Sequence, residues 1–588
     1  MSLSRYFQDE LDHLRRSGDA FAQRFPGLTK YLSSRATDPD VERMMEGFAF
    51  LTARLREKID DQLPEVTQSL LMLLWPNFLR PVPSMCIMQL DPIPGAISEV
   101  QTVPAGAEVH SIPVDGTVCR FRTACRAEIV PMAVEMVRHD VSRAASVVTL
   151  RLRTLDEQPV TDLNLRVLRL FLGGASYSAQ TLNLWMHRYM RKATMGTEGF
   201  MLGLDAEAIR PVGIDRDDAV LPYPDNAFMG YRLLQEFYTI PEKFSFFDID
   251  VPSLRFLPAR TKELTFVFEF ERPLPPDVRI EASSFQLNCT PAINLFKHSS
   301  EPIRLDGRRT EYALLPARIE GSELEIFEIE EVNGWLPAPD GRSNGISRTY
   351  ARFESFSHEM ERADDRHAVY FREKVSQGFA GADLTRTLSF IREDEALENR
   401  TDETISVSLE CTNGVAPTHL GIGDLNRPMR NLPSFVTPRN LTRPSPPCYP
   451  LVDGSLQWQL ISALSLNYLS LQDAPALRNI LMAFDFPART NMQRERGAKL
   501  RLEGIETIAS ERVDRLFKGL PVRGMRTHIG MRESHFESEG EMFLFASVLA
   551  EFFALYATVN SFHELLVQGV ERGEVYRWQP RIGNQPLL

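Results

Sequence analysis

The positions of apolar residues at the start of the chain follow a helical repeat. Phe7, Leu11, Leu14, Gly18, Phe21 and Phe25 succeed one another at spacings of 4, 3, 4, 3 and 4 residues. This 3.5-residue period is typical of helices that pack side by side in a bundle. Pro26 and Gly27 follow at once and predict the end of this first helix.

A second helix is predicted to begin at Asp38-Pro39, with the aspartate as its cap and the proline in its first turn. Its apolar face is wider than one helix contact needs, so it should touch more than one neighbour. The main face holds Val41, Met45, Phe48, Leu55 and Ile59, and the flanking positions hold Met44, Phe50 and Leu51. A third helix, from Glu65 to Trp75, is apolar nearly all round and ends at Pro76.

A hairpin of the first two helices would cover only one apolar stripe of each helix. The remaining apolar surface must therefore contact something else. One candidate is the chain's own β domains, because a core helix shows the same periodicity as a helix at an interface. The other candidate is a set of helices from a partner.

From about Met85 to Asp424 the period of the apolar residues changes to two. Clean alternation in Val148–Thr154, Thr265–Phe270 and Thr404–Leu409 predicts half-buried strands of antiparallel sheets. Turns are predicted at Pro94-Gly95, Asn333-Gly334 and Asn413-Gly414. Sandwich or barrel-like β domains with a few helices would satisfy this pattern.

The last part of the chain begins with six prolines in residues 431–450, which predict a stiff, extended connection. A small α/β domain is predicted after it. Its elements are a helix at Leu456–Leu471, strands at Leu500–Ile508 and Leu520–Ile529, and a long helix at Glu541–Gln568.

The 588 residues exceed what one hydrophobic core holds, about 250–300 residues. The fold class predicted is α+β and multidomain, with an N-terminal helical bundle, β-sandwich or barrel-like middle domains and a small C-terminal α/β domain. The predicted ranges are 1–84 for the helical segment, 85–250 and 251–430 for two β-rich domains, 431–450 for the connection and 451–588 for the last domain.

Charge and cysteine content narrow the function classes. The formal net charge is −13, so the chain lacks the overall field that draws proteins to nucleic acid or anionic lipid. Six cysteines without a CxxC pair predict scattered, reduced core thiols rather than disulfides or a zinc site. We expect no nucleic-acid partner.

One apolar stretch, Met542–Phe562, has the length of a membrane span but contains Glu551. A central carboxylate costs roughly 3 kcal/mol on insertion scales, so we expect a buried helix of a soluble domain. Glu551 should then reach solvent or pair with an arginine of the basic last block. The charged N-terminus, Met1–Glu10, lacks the apolar segment of a secretory signal. A cytoplasmic protein without direct membrane insertion is predicted.

No motif predicts a catalytic residue, a cofactor or a metal. Gly421-Ile-Gly423 lacks the third glycine of a dinucleotide fingerprint, and Met525 replaces the lysine of a phosphate loop. His528, Glu533 and His535 lie close together without a third histidine or a cysteine, and are predicted to be solvated or capping residues.

Two charged segments are predicted to be surfaces. Residues 323–331 alternate acidic and apolar side chains, which predicts a strand with a solvated acidic face. Basic residues are frequent between 489 and 526, but aromatic residues are not interleaved as a base-stacking surface requires. A protein-facing or plain surface patch is predicted. Its residues are Arg489, Arg494, Arg496, Lys499, Arg501, Arg512, Arg515, Lys518, Arg523 and Arg526.

Short segments along almost the whole chain, in order, resemble the TssF family (also called ImpG or VasA), the large wedge subunit of type VI secretion baseplates. They are Arg5–Leu11, Asp38–Arg43, Glu46–Arg54, Leu74–Ser84, Leu287–Pro291, Asn294–Phe296, Pro302–Tyr312, Asn440–Pro444, Leu464–Leu471, Glu541–Phe545 and Tyr556–Phe562. Trp75, where relatives often carry tyrosine, is a conservative departure.

The resemblance implies a structural, non-enzymatic role. Members of the family assemble with TssG, typically two copies to one, and with TssK and TssE, and the wedges surround the spike and nucleate the contractile sheath. They resemble wedge proteins of contractile phage baseplates. Docking at the inner face of the inner membrane is expected to pass through other subunits. The alternative is a carbohydrate-binding or carbohydrate-active protein built on the β domains, which rests on analogy from fold alone.

The resemblance also favours partner helices over the chain's own β domains as the cover of the N-terminal helices. A bundle shared with a second copy and with TssG is predicted. The predicted partner-interface residues are Phe7, Leu11, Leu14, Phe21, Phe25, Val41, Met45, Phe48, Leu55 and Ile59.

Overall fold

A computed structural model describes residues 2–583, except 25–38, 61–63, 157, 225–228, 259, 307–308, 320, 322, 337–345, 354–368, 378–383, 393–402, 430, 451, 453–472, 490–491, 518–519, 556 and 558–560. Its helices are α1 Ser2–Arg24, α2 Pro39–Asp60, α3 Pro64–Leu74, α4 Ser176–Arg188, α5 Met229–Thr239, α6 Ala474–Phe484, α7 Met492–Glu503 and α8 Glu539–Leu555.

The strands follow in chain order. The first fifteen are β1 Met85–Pro92, β2 Gln101–Val103, β3 Glu108–Val114, β4 Thr117–Thr123, β5 Ala127–Ile129, β6 Met132–Val141, β7 Ser146–Thr154, β8 Val167–Leu172, β9 Met190–Thr197, β10 Phe200–Leu204, β11 Ile209–Val212, β12 Phe246–Asp250, β13 Glu263–Phe270, β14 Phe285–Gln286 and β15 Cys289–Ile293. The others are β16 Phe296–Ser299, β17 Ile303–Leu305, β18 Tyr312–Ala313, β19 Glu325–Leu336, β20 Ile346–Arg352, β21 Val369–Gln377, β22 Leu384–Arg392, β23 Glu403–Thr412, β24 Leu425–Pro428, β25 Val436–Asn440, β26 Ile505–Phe517, β27 Leu520–Met531, β28 Phe562–Gly569, β29 Val575–Arg577 and β30 Arg581–Ile582.

These strands form several sheets. The orders are β24-β3-β4-β15-β1-β25, β10-β9-β13-β7-β6, β11-β12-β8-β14, and β16-β23-β19-β20-β21-β22-β18 with β17 on β23. A small pair, β2-β5, and the C-terminal sheet β26-β27-β28-β29, with β30 on β28, complete the set. The α+β class is therefore confirmed. The predicted domain ranges stay a prediction, and the ranges 85–250, 251–430 and 431–450 contribute strands to common sheets.

Trp75 lies at the junction between the N-terminal helices and the rest of the chain. Its ring, which is fully buried, lies 5.8 Å from that of Tyr231 on α5 and 4.8 Å from that of Phe484 on α6. The apolar core that begins here continues without interruption to Tyr576 in the C-terminal sheet. One core thus joins α3, the middle sheets and the C-terminal elements.

Two buried asparagines, in segments that resemble the TssF family, form hydrogen bonds with the backbone of other segments. Asn440 accepts hydrogen bonds from the N–H groups of Gly423 and Leu425 through Oδ1, both at 3.0 Å. Asn288 bonds both backbone groups of Val130, at 2.8 and 3.1 Å. Because buried backbone groups need partners, these side chains have a structural reason to be asparagine.

The long helix predicted at Glu541–Gln568 is wrong in its second half. The helix α8 ends at Leu555, and the parallel strand β28 begins at Phe562. The stretch is apolar throughout, and a buried strand cannot be distinguished from a buried helix by period alone. The strand predicted at Leu500–Ile508 is likewise shifted, because α7 continues to Glu503.

The turn predicted at Asn333-Gly334 is also wrong, because both residues lie inside β19. Gly334 serves close packing instead: a Cβ there would collide with the carboxylate of Glu403 and the ring of Tyr350. The first three helices, the strands at Val148–Thr154, Thr265–Phe270 and Thr404–Leu409, and the turns at Gly95 and Gly414 are confirmed. The connection predicted at 431–450 contains β25, which pairs with β1. The helix predicted at Leu456–Leu471 falls outside the described residues.

Candidate partner-binding surface

The helices α1 and α2 form a hairpin and pack extensively against each other. Arg15 on α1 donates to the Glu42 carboxylate on α2 at 2.6 Å. Ala49 and Ala53, four residues apart on α2, are completely buried. Since α1 is the element packed against α2, we assign these alanines to the contact, where small side chains let the two helix axes approach closely.

A second face of α2 is apolar and uncovered. Met44, Phe48 and Leu51 are 75%, 62% and 60% exposed. Their spacing of four and three residues places them in one row, and the 3.6-residue turn places that row roughly 150° around the helix from the two alanines. We call this row the α2 stripe. Contiguous exposed apolar side chains of this size mark interaction sites in folded proteins.

The residues predicted from the heptad pattern divide between the two faces. Half-buried side chains line the hairpin, and exposed ones stand apart from it. Phe7, Leu11, Leu14, Val41 and Met45 are half-buried, whereas Phe21 and Phe48 are exposed. Phe25 and the side chains of Leu55 and Ile59 fall outside the description.

The sequence pattern predicted Met44 and Leu51 at flanking positions, outside the predicted interface. They prove to be the core of the exposed row together with Phe48. The signal was present in the sequence, as the spacing i, i+4, i+7 of a second apolar row. What the sequence did not show was which row α1 covers.

The hairpin is connected to the β domains through α3, whose Gln68 is buried against β21. Its amide donates to the Val375 carbonyl at 2.8 Å and accepts from the Val375 N–H at 3.1 Å. This side chain replaces a strand partner for one residue and holds α3 against β21. Gln68 therefore anchors α3, the helix that follows the hairpin in the chain.

A buried ionic network lies next to this joint. Glu373, on the same strand β21, pairs with Arg386 and with Arg352, the latter at 3.0 Å. Burial raises the pKa of Glu373, but the two guanidinium groups lower it further, so the net pKa lies below the ordinary value. Arg80, just after α3, pairs with Glu328 of β19.

The acidic strand is only partly as predicted. It forms the beginning of β19, and Glu330 and Glu331 are exposed. Glu328, however, binds Arg80, and Glu325 accepts a hydrogen bond from the Tyr449 hydroxyl at 2.6 Å. The prediction of a fully solvated acidic face is therefore wrong, because neighbouring segments cover its first half.

His528, Glu533 and His535, which lie at or just after the end of β27, have structural partners. Glu533 accepts from the backbone N–H groups of Glu571 and Arg572 at 2.9 and 3.0 Å. His535 contacts the Leu500 carbonyl at 3.0 Å through Nδ1, and His528 lies 3.4 Å from Glu511. Among the described residues, no group of three or more His, Cys, Asp or Glu side chains could hold a metal ion.

The cysteines are buried free thiols, as predicted, and Glu551 has an arginine partner in the last part of the chain. All six cysteines are free and buried, and burial raises the pKa of the Cys119 thiol to about 11. Glu551 pairs with an arginine, Arg581, at 2.7 Å, although this residue lies outside the basic stretch 489–526. Burial raises the pKa of Glu551, and Arg581 opposes the shift. No helix in the described part of the chain is long and apolar enough to cross a membrane.

An apolar row left uncovered on a helical hairpin is typical of a protein that assembles with others. Comparison with known proteins agrees. The chain matches the family described as "Type VI secretion system, TssF" over residues 1–585. It is 29% identical over 630 aligned positions to the type VI secretion system component TssF1 of Pseudomonas aeruginosa, covering 100% of this chain and 99% of that relative. The chain belongs to the TssF family.

Two solved structures share the fold. A chain of the TssK-TssF-TssG baseplate subcomplex, determined by cryo-electron microscopy, matches with a TM-score of 0.75 and 30% identity, covering 92% of this chain and 100% of the other. A chain of the type VI secretion baseplate complex matches with a TM-score of 0.67 and 27% identity, covering 100% of both.

Proposed function

We propose that this chain is a structural wedge subunit of a type VI secretion baseplate, and that its α1–α2 hairpin joins a helical bundle with TssG and a second copy of the chain. The family and the two matched structures, a type VI secretion baseplate complex and a TssK-TssF-TssG baseplate subcomplex, support the assembly. The exposed α2 stripe is the observation that supports this choice of binding surface.

The finer parts of the proposal follow the family resemblance. Two copies of this chain per TssG, contacts with TssK and TssE, and a place around the spike from which the sheath grows make up the proposed role. The wedge would dock at the inner face of the inner membrane through other subunits. The role is one of scaffolding rather than catalysis.

The exposure of the α2 stripe favours a partner at this face of the helix. A row of three large apolar side chains, each more than half exposed, gains free energy when it leaves water, at about 25 cal/mol per Å². Since α1 already occupies the alanine face, the partner must approach α2 from the opposite side. A bundle of three or more helices satisfies this geometry.

The test is a pull-down of TssG from cells that express the full chain with Phe48→Glu and Leu51→Glu. We expect TssG to be lost while the thermal transition of the purified chain stays unchanged. The matched control is Val141→Glu with Ile422→Glu, two exposed apolar residues on other elements, which should retain TssG. Full recovery of TssG by the Phe48/Leu51 variant would remove the α2 stripe from the interface.

The half-buried seam gives a second test. Leu11→Glu with Leu14→Glu should disrupt the hairpin itself, and so abolish TssG binding and sheath assembly. The elements after Met85 should still fold, as judged by the main thermal transition. If this variant unfolds the entire chain, the hairpin is part of the chain's own core and the shared bundle is wrong.

A further inference from the structure

A cavity of about 470 Å³ opens between α4, α8 and β28. Phe244, Leu544, Val548 and Leu565 contribute to its apolar wall. This size and this lining are typical of pockets that bury a ligand. All of its lining residues lie between 183 and 581, so it is separate from the helical hairpin.

Two buried polar atoms, on residues of α4 that line this cavity, have no hydrogen-bond partner among the described residues. They are Oδ1 of Asn183, a residue only 4% exposed, and Nε2 of His187, one helical turn further on. Burial lowers the pKa of His187 to about 4, so its ring is neutral at physiological pH. Buried polar atoms are nearly always paired in folded proteins, so these two call for an occupant that supplies the missing partner.

The mouth of the cavity is positively charged. Arg188, Arg577 and Arg581 line it, against the single carboxylate of Glu551. Arg581 pairs with Glu551 at 2.7 Å, and Arg577 pairs at 3.3 Å with the buried Glu564. Glu564 also binds Arg515 and Arg526, so the charge around the mouth stays positive, and the three mouth arginines are largely exposed to solvent. A negatively charged occupant is therefore favoured at the mouth, and an apolar one inside.

We propose that this cavity binds an acidic peptide segment of another protein that inserts one tryptophan side chain. The apolar wall holds the indole ring, and a small rotation of the Asn183 side chain lets Oδ1 accept from the indole N–H. The acidic neighbours of the tryptophan face the arginines of the mouth. A peptide suits the site better than a small apolar molecule because the charged mouth extends beyond the apolar interior.

The probe is a fluorescein-labelled peptide, Glu-Glu-Trp-Glu-Glu, titrated into the full chain and followed by fluorescence anisotropy. Replacing its tryptophan with alanine, or its glutamates with lysine, should weaken binding about tenfold or more, since a buried aromatic anchor carries most of the affinity at such sites. Equal binding of the alanine peptide overturns the proposal. So does binding of free indole as tight as that of the peptide, because it would show a small-molecule pocket.

Three variants locate the binding. Val548→Trp fills the cavity and should abolish peptide binding. Asn183→Leu removes the unpaired acceptor, and should weaken binding while preserving the thermal transition. Arg188→Glu should weaken binding, whereas Arg191→Glu, an exposed arginine outside the lining, should not. If the two arginine variants weaken binding equally, the interaction is diffuse electrostatics and the site is wrong, and this comparison holds even if Val548→Trp fails to fold.

Discussion

Two helices of this protein are rich in apolar residues and differ in what covers them. In α8, Phe545, Leu549 and Phe552 are fully buried beneath α4, α5 and β28. In α2, Phe48 and its neighbours in the α2 stripe are more than half exposed. An excess of apolar residues in a helix therefore indicates a partner only where the chain's own elements leave those residues uncovered.

The largest expected effect tests this difference directly. Leu549→Ala or Phe552→Ala should lower the free energy of unfolding of the isolated chain by about 3–5 kcal/mol, through lost transfer energy and the cavity left behind. Phe48→Ala should change it by less than about 0.5 kcal/mol, because its side chain is already in water. Denaturant midpoints measure both. Similar losses at the two sites would mean that α2 is covered within the isolated chain.

A second prediction concerns the buried ionic network of Glu373 on β21. Glu373→Gln leaves the Arg386 and Arg352 guanidinium groups without their carboxylate, which should cost about 3 kcal/mol at neutral pH. Glu331→Gln, an exposed carboxylate on β19, is the matched control and should be nearly neutral.

The ion pairs of Glu373 also predict that the stability of the chain depends on pH. Since the pKa of Glu373 is depressed in the folded state, its stabilisation is present above the unfolded value of about 4.3 and is lost as the pH falls through the folded value. Thermal transitions measured between pH 7 and pH 3 should therefore converge for the original chain and Glu373→Gln. A difference that persists unchanged at pH 3 would contradict the assignment.

A third and smaller effect concerns the covered helix. Arg581→Ala removes the partner of Glu551 and should destabilise the chain by about 1–2 kcal/mol at neutral pH. The pKa of Glu551 is already raised by burial, so the uncompensated charge is present above that pKa and is relieved by protonation below it. The deficit should shrink as the pH falls toward that raised pKa. A deficit that grows in acid would show that Glu551 is not the group involved.

Sequence patterning was sufficient where one period dominates. The heptad seam predicted α1, and alternation predicted β7, β13 and β23 within a few residues. It failed at the end of α8, because an apolar run buried on all sides carries no period that separates helix from strand. It also failed at Gly334, where glycine serves close packing rather than a turn.

The sequence predicted which helix carries the candidate surface, but not which of its residues form that surface. The width of the apolar face of the second helix indicated more than one neighbour, and that expectation agrees with the two faces of α2. Met44 and Leu51 could be assigned to the exposed row only once Ala49 and Ala53 were seen buried. The cavity beside Asn183 had no sequence signal, because its walls come from segments hundreds of residues apart.

We propose that a partner covers α2 in the assembly, whereas the chain's own elements cover α8. Hydrogen–deuterium exchange of the full chain, alone and in its purified complex with TssG, tests this in one experiment. Amides of α2 should gain protection on complex formation, while those of α8 should be strongly protected in both samples. Unchanged exchange across α2 in the complex would contradict the account.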